Sequence, residues 1–177
     1  MSKIRNTIIT LLLIFSFSKN TNAQFISAIV GIDGLTCSAC SYATEKSILK
    51  LIFVDSVYME LDKNIATVFF KKNIPVSIKS LSQKVYDAGF AVRSIHAIVN
   101  IEPTTITNDY CLILENNLYH FIKIDGEKKL SGPTNIKFIG EKLMQKQEFK
   151  KWKLFCSSSC KSQMIPTIKN EYFVTIP

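Results

Sequence analysis

The chain has 177 residues, with 22 lysines and arginines against 14 aspartates and glutamates, a formal net charge of +8. The excess is mild, and in the second half the lysines between residues 142 and 153 are interleaved with glutamates, which is typical of a solvated helical face. These numbers argue against a nucleic-acid partner, and the length allows one domain or two small ones.

The N-terminus is typical of a secretory signal peptide. Lys3 and Arg5 precede the apolar run "IITLLLIFSF" at 8–17, which is shorter than the roughly 20 residues needed to cross a bilayer. The small residues Thr21 and Ala23 follow it at the spacing of a cleavage site. We therefore predict a signal peptide at 1–23; an N-terminal membrane anchor is the alternative.

Cleavage after Ala23 would leave a mature chain, Gln24–Pro177, with a formal charge of +5, because three basic residues and no acidic one are removed. No second long apolar stretch follows, so we expect a soluble monomer with no membrane span, located in the periplasm or secreted. Disulfides are permitted there. The five cysteines are an odd number, so at least one thiol is free or pairs with another molecule.

Alternating and helical periodicities between residues 24 and 99 predict a ferredoxin-like βαββαβ domain. The predicted elements are a strand at 28–32, a helix from about 37 to 51, strands around 57–61 and 66–70 joined by the turn 62–64, a helix beginning at Pro75 and ended by Gly89, and a strand at 90–99. The fold class is therefore α+β, with an antiparallel sheet and both helices on one of its faces.

Residues 100–177 follow a different pattern. A polar, turn-rich stretch at 100–109 is typical of a linker, and strands are predicted at 110–115 and 118–124 around an Asn-Asn turn. A loop at 125–133 and a strand at 136–139 follow, whereas 142–152 fits either a helix or a pair of charged strands. We expect a small, mostly β C-terminal domain at 110–177, of unknown role, that ends in a strand.

The stretch "GLTCSAC" at 34–40 places Cys37 and Cys40 where the first strand gives way to a helix. A helix N-terminus carries partial positive charge and unpaired N–H groups, which favour thiolate over thiol. Two thiolates suffice for a soft ion such as Cu(I), whereas zinc usually takes four ligands. We predict a metal site at Cys37 and Cys40, with Cu(I) as the preferred ion and Hg(II), Zn(II) or Cd(II) as alternatives.

Two other interpretations of this motif stay open. A periplasmic thiol–disulfide oxidoreductase would use the same two thiols, although such sites commonly carry a tryptophan before the first cysteine, where this chain has Thr36. A structural disulfide or an interaction module with oxidised thiols is the third interpretation. A disulfide at this spacing would close a loop too small to constrain the unfolded chain much.

The stretch "VGIDGLTCSACSYATEKSI" at 30–48 resembles the heavy-metal-associated domain of copper chaperones, copper-pumping ATPases and periplasmic mercury-binding proteins. The resemblance covers about residues 28–98 and includes "DAGF" at 87–90. It implies that Cys37 and Cys40 are the metal ligands. Leu35 stands where the family commonly has a methionine that packs beneath the loop, and leucine has a similar volume. We further expect Phe90 to pack over the site and limit the access of water.

Cys156, Cys160 and Met164 recur at four-residue steps in "CSSSCKSQM". They weakly resemble the copper loop of dinuclear copper electron-transfer domains, with Met164 where a histidine would be, and this implies a second thiol site. The alternative is a disulfide, either between Cys156 and Cys160 or between one of them and Cys111.

The remaining chemistry-bearing residues give weaker signals. His96 and His120 stand alone in strand-like segments and are interpreted as structural or surface residues. The sequence has no Ser-His-Asp order, paired-carboxylate spacing, phosphate-binding glycine loop or zinc-protease motif, so we predict that the protein is not an enzyme. The predicted function is Cu(I) binding and transfer, with a metal-transporting membrane protein or another metallochaperone as partner.

Overall fold

The computed structural model describes residues 24–156, 160 and 168–177, so the predicted signal peptide lies outside the described residues. The described strands are β1 (Gln24–Asp33), β2 (Val54–Glu60), β3 (Ile65–Phe70), β4 (Ala91–Ile106), β5 (Tyr110–Leu114), β6 (Asn117–Phe121), β7 (Lys128–Ile139) and β8 (Asn170–Thr175). The described helices are α1 (Ser38–Ile48), α2 (Ile78–Asp87) and α3 (Lys146–Trp152), the last followed by a 3₁₀ turn at Lys153–Phe155. The strands form one sheet in the order β2-β3-β1-β4-β7-β8-β6-β5.

The predicted βαββαβ order is present in the first half of the chain. β1 lies between β3 and β4 and pairs antiparallel with both, and β2 pairs antiparallel with β3. α2 begins at Ile78 rather than at Pro75, because the Ser77 side chain caps it by accepting a hydrogen bond from the Ser80 N–H. Its end is as predicted: Gly89 has φ +90°, the left-handed conformation that glycine adopts readily just beyond a helix.

The two long helices bury the apolar stripes that the sequence predicts. Ile48 of α1 and the α2 residues Ile78, Leu81 and Val85 are fully buried. The Ser47 hydroxyl of α1 donates a hydrogen bond to the Lys84 carbonyl of α2 at 2.7 Å, which fixes one helix against the other. This packing holds the start of α1, and with it the Cys-x-x-Cys motif, at one end of the sheet.

The linker predicted at 100–109 is mostly strand, and this prediction is corrected. β4 continues to Ile106, and its far end pairs antiparallel with β7. The register of the β4–β7 pairing shifts between Ile101 and Thr104, so Pro103 lies in the irregular part of the strand. Proline has no N–H to donate to a ladder, and at this position none is needed. A polar, proline-containing segment can therefore remain in the strand.

The predicted loop at 125–133 is also partly strand. β7 begins at Lys128, and Leu130 pairs with Thr104 of β4. The charged stretch 142–152, left open between helix and strands, contains α3. The predicted hairpin of β5 and β6 is present. β6 lies between β5 and a parallel partner, β8, and every residue of β6 is buried.

The second half shares both a sheet and a core with the first. Phe25 of β1 packs against Tyr119 of β6 and Phe138 of β7, with ring centroids 6.0 and 6.4 Å apart. All three side chains are at most 1% exposed. In the described residues, the mostly β segment after residue 110 thus extends the sheet of the first half. Among those residues, none of the helices has the length and apolar character needed to cross a membrane.

Candidate metal centre

The Cys-x-x-Cys motif lies on the loop that joins β1 to α1. Gly34 has φ +94°, in the region that side chains disfavour, and it turns the chain as it leaves the sheet. Leu35 then inserts into the core with 4% of its surface exposed, at the place predicted for a packing residue. The loop is thereby anchored from below, while Thr36 and Cys37 remain on the surface.

Cys37 is the N-cap residue of α1. Its backbone is extended, and its Sγ accepts a hydrogen bond from the Cys40 N–H at 3.3 Å. A thiolate at this position faces an unpaired N–H group and the positive end of the helix dipole. Cys37 is exposed and Cys40 is half-buried, and both thiols are free. The structure therefore has both sulfurs at the helix start, with one of them open to an incoming ion.

The pKa of Cys40 lies below its ordinary value. The main cause is a hydrogen bond with the Cys37 side chain, helped by hydrogen bonds from the backbone of Thr36 and Cys37 and opposed by partial burial. The arrangement stabilises the anionic form that a soft metal ion needs as a ligand.

Phe90 lies against the loop, as the sequence analysis expects. A β-carbon placed on Gly34 would be 3.5 Å from Cδ1 of the Phe90 ring. The ring is half-buried and packs against the same core cluster as the half-buried Cys40. Its position fits a residue that limits water at the motif, although its effect on the bound ion remains a prediction.

The sequence analysis missed three residues that hold the start of the loop. The Asp33 carboxylate accepts a hydrogen bond from the Gln145 side chain at 2.9 Å and lies 3.6 Å from the Arg93 guanidinium. Gln145 also donates its backbone N–H to the Arg93 carbonyl. These residues are separated by up to 112 positions, so no local pattern signals them.

The cysteines of the second half pair in one of the predicted ways. Cys111 forms a disulfide with Cys160, and Cys156 is a free, half-buried thiol whose pKa is raised by burial. The predicted second site of Cys156, Cys160 and Met164 is therefore not present in that form, because Cys160 is bonded elsewhere. Met164 lies outside the described residues.

The two histidines differ in their surroundings. His96 is half-buried, and its pKa is lowered by burial and by nearby Lys137. His120 is 1% exposed and lies directly opposite Cys111 on the β5–β6 ladder. One ring nitrogen of His120 and the sulfurs of Cys111 and Cys160 lie within 4.8 Å of one another. His120 is thus a buried residue, in agreement with its interpretation as structural, and its proximity to the two sulfurs was not predicted from the sequence.

Comparisons with known proteins concern the first half. The family model of the heavy-metal-associated domain matches residues 29–91. A copper chaperone, CopZ, from Staphylococcus haemolyticus (strain JCSC1435) is 31% identical over 68 residues, which are 38% of this chain and 98% of that protein.

Solved structures give matches over the same share of the chain. A copper-binding domain from HMA7, a P-type ATPase, is 31% identical with a TM-score of 0.36, covering 38% of this chain and 90% of that one. The yeast copper transporter domain CCC2A is 26% identical with a TM-score of 0.34, covering 37% of this chain and 88% of that one.

Proposed function

The chain belongs to the heavy-metal-associated domain family through residues 29–91, and we propose that it binds one Cu(I) ion through Cys37 and Cys40 and passes the ion to a second copper protein. The observation that carries this proposal is the pair of free thiols at the start of α1, where Cys37 Sγ accepts the Cys40 N–H and the pKa of Cys40 is lowered. The relatives that this chain matches are metal-binding proteins such as a copper chaperone, which fits the prediction that this protein is not an enzyme.

The donor set favours monovalent copper. On binding, each thiol gives up its proton and forms one metal–sulfur bond, and two soft sulfurs satisfy a d¹⁰ ion that accepts two-coordinate geometry. Zinc in its preferred tetrahedron would need both a third and a fourth ligand besides the two cysteines. The cysteines of the 111–160 disulfide cannot act as thiolates while they are bonded to each other.

The rim of the site suits transfer. Thr36, Ser38 and Ala39 are exposed and uncharged, so a partner can approach without burying an unpaired charge. Because Cys37 is exposed, a thiolate of the partner can bind the ion before Cys37 or Cys40 releases it. We propose a metal-transporting membrane protein or another metallochaperone as that partner.

We also propose that the protein is exported and cut after Ala23. Cleavage there removes none of the residues that the structure describes, of which Gln24 is the first. The Cys111–Cys160 disulfide adds support, since disulfides persist in oxidising compartments and are rare in the cytosol. The intact mass of the protein recovered from the exported fraction tests this point, with a chain starting at Gln24 expected.

The test of copper binding is an anaerobic titration of the Gln24–Pro177 chain with Cu(I) against a competing chelator, read by native mass spectrometry. Alkylation first confirms that Cys37, Cys40 and Cys156 are the free thiols. We expect one Cu(I) per chain, none in Cys37→Ser/Cys40→Ser, and an unchanged result in the matched control Cys156→Ser. If the copper stays with the chelator while the protein reduces an external disulfide, the chain is an oxidoreductase and the proposal is wrong.

A further inference from the structure

We propose a second Cu(I) site, formed by Cys111, His120 and Cys160 and open only when the disulfide between the two cysteines is reduced. The site lies in the second half of the chain, outside the residues matched by the family. It does not depend on copper binding at Cys37 and Cys40. It would make copper uptake by this part of the protein depend on the thiol redox state of its surroundings.

The first argument is proximity. Cys111 and His120 are directly paired across the antiparallel β5–β6 ladder, so their side chains leave the sheet on the same face. Cys160 is at the same point because it is bonded to Cys111. The two sulfurs, bonded to each other in the disulfide, lie within 4.8 Å of one imidazole nitrogen. Metal–sulfur bonds of about 2.3 Å separate trigonal sulfurs by about 4 Å, so the site forms once reduction lets the two sulfurs move apart by that amount.

The second argument is the buried imidazole. His120 is 1% exposed, and its Nε2 lies 3.1 Å from the Asp109 carboxylate. Its Nδ1 has no hydrogen-bond partner among the residues that the structure describes. A buried polar atom without a partner is costly, so its retention points to a ligand. A carboxylate on one imidazole nitrogen, with the other free, is the usual arrangement of a metal-binding histidine.

The third argument is the choice of metal. Two thiolates and one imidazole are a soft donor set that suits Cu(I) in a trigonal geometry. Within the described part of the chain the cluster contains three protein ligands, which complete a trigonal Cu(I) site, whereas zinc would have to recruit a water molecule as its fourth ligand. Cys156, the nearest cysteine in sequence to Cys160, is not in the cluster, and burial raises the pKa of its thiol.

The site is opened by thiol–disulfide exchange with an external reductant. A dithiol reductant gives two electrons and two protons to the Cys111–Cys160 bond, which breaks into two thiols while the reductant closes its own disulfide. Cu(I) then displaces both thiol protons to form two copper–sulfur bonds and accepts the lone pair of His120. The copper does not change its oxidation state. An exported protein needs the same class of reductant to keep Cys37 and Cys40 reduced.

The test uses the Gln24–Pro177 chain carrying Cys37→Ser/Cys40→Ser, so that failure of the first site cannot affect it. Cu(I) is titrated anaerobically against a competing chelator before and after reduction, and alkylation reports which thiols are free. We expect no copper on the oxidised protein and one Cu(I) on the reduced protein, with two sulfurs and one nitrogen in the X-ray absorption spectrum. Copper left on the chelator by the reduced protein, a preference for Zn(II), or a spectrum without nitrogen would overturn the proposal.

Variants separate ligation from folding. His120→Gln removes the nitrogen ligand, and we expect its reduced form to bind Cu(I) at least about tenfold more weakly. Asp109→Asn keeps a residue that tolerates φ +62° but removes the charged partner of His120, and a loss of about tenfold is expected. Cys156→Ser is the matched control and should bind as before. Thermal unfolding of the oxidised forms first shows which variants fold. If His120→Gln does not fold, the test depends on Asp109→Asn, and an unchanged Cu(I) affinity of its reduced form would contradict the proposal.

Discussion

Gly34→Ala is the substitution that tests most directly how the backbone of the loop supports the metal site. Gly34 has φ +94°, a conformation that costs a residue with a β-carbon about 1–2 kcal/mol. The added methyl group would lie 3.5 Å from the Phe90 ring, which is an ordinary contact, so steric overlap adds nothing. The whole cost is therefore backbone strain, and if the metal-free loop keeps its conformation the free energy of unfolding should fall by the full amount, about 1–2 kcal/mol. For a chain of this size that lowers Tm by about 2–8 °C.

The loop can relieve this strain by moving Cys37 away from the start of α1. Binding Cu(I) would then require the strained conformation again, so the part of the strain that the metal-free loop relieves appears as weaker binding. Full relief would raise the dissociation constant about 5- to 30-fold, the equivalent of about 1–2 kcal/mol, with little loss of stability. The assay is the chelator competition with Cu(I), together with a thermal unfolding curve of the metal-free protein.

Gly126→Ala is the matched control. Gly126 also has a positive φ, +67°, has no neighbour within 4 Å of an added β-carbon, and lies between β6 and β7. It should lose a similar amount of stability and bind Cu(I) as the parent does. Equal weakening of copper binding in both variants, or none in Gly34→Ala, would show that the backbone at Gly34 does not set the position of the thiols.

Three further predictions concern the thiols and the shared core. Because the Cys37 side chain is the main cause of the lowered pKa of Cys40, Cys37→Ala should move the midpoint of the Cys40 alkylation rate to higher pH, and an unmoved midpoint would assign the shift to the helix. The cysteines of the Cys111–Cys160 disulfide are 49 residues apart, so its reduction should lower the free energy of unfolding by up to about 4 kcal/mol, measured by urea denaturation. No change would mean that this part of the unfolded chain stays compact without the disulfide. Phe138→Ala should cost about 3–5 kcal/mol and shift one transition seen by probes in both halves; two separate transitions would indicate independent domains.

The first half could be predicted because its signals are local. The strand around Ala66 and Val68 is indicated by alternation between neighbouring residues. The helix is indicated by the three- and four-residue spacing of Ile78, Leu81 and Val85, and its end by a nearby glycine. The position of Cys37 and Cys40 at a helix start follows from the same local signals. The motif could accordingly be interpreted chemically before any tertiary contact was known.

The linker predicted at 100–109 and the loop predicted at 125–133 were wrong for physical reasons. Pro103 is typical of a linker, yet a register shift in the β4–β7 ladder accommodates it. Gly132 and Pro133 are typical of a loop, yet they pair with Ile101 and Asn100. In both cases a distant strand supplies hydrogen bonds that override the local preference, and propensity contains no information about that partner.

The sequence by itself determined that a soft-metal motif begins a helix in a βαββαβ unit, because periodicity, turns and caps depend on residues close along the chain. Only the tertiary structure decided that β7 joins β4 in a common sheet, that Cys111 pairs with Cys160, and that His120 meets both of them. Strand partners and thiol pairs are chosen by the packing of segments far apart in sequence, and several pairings satisfy the local pattern equally well.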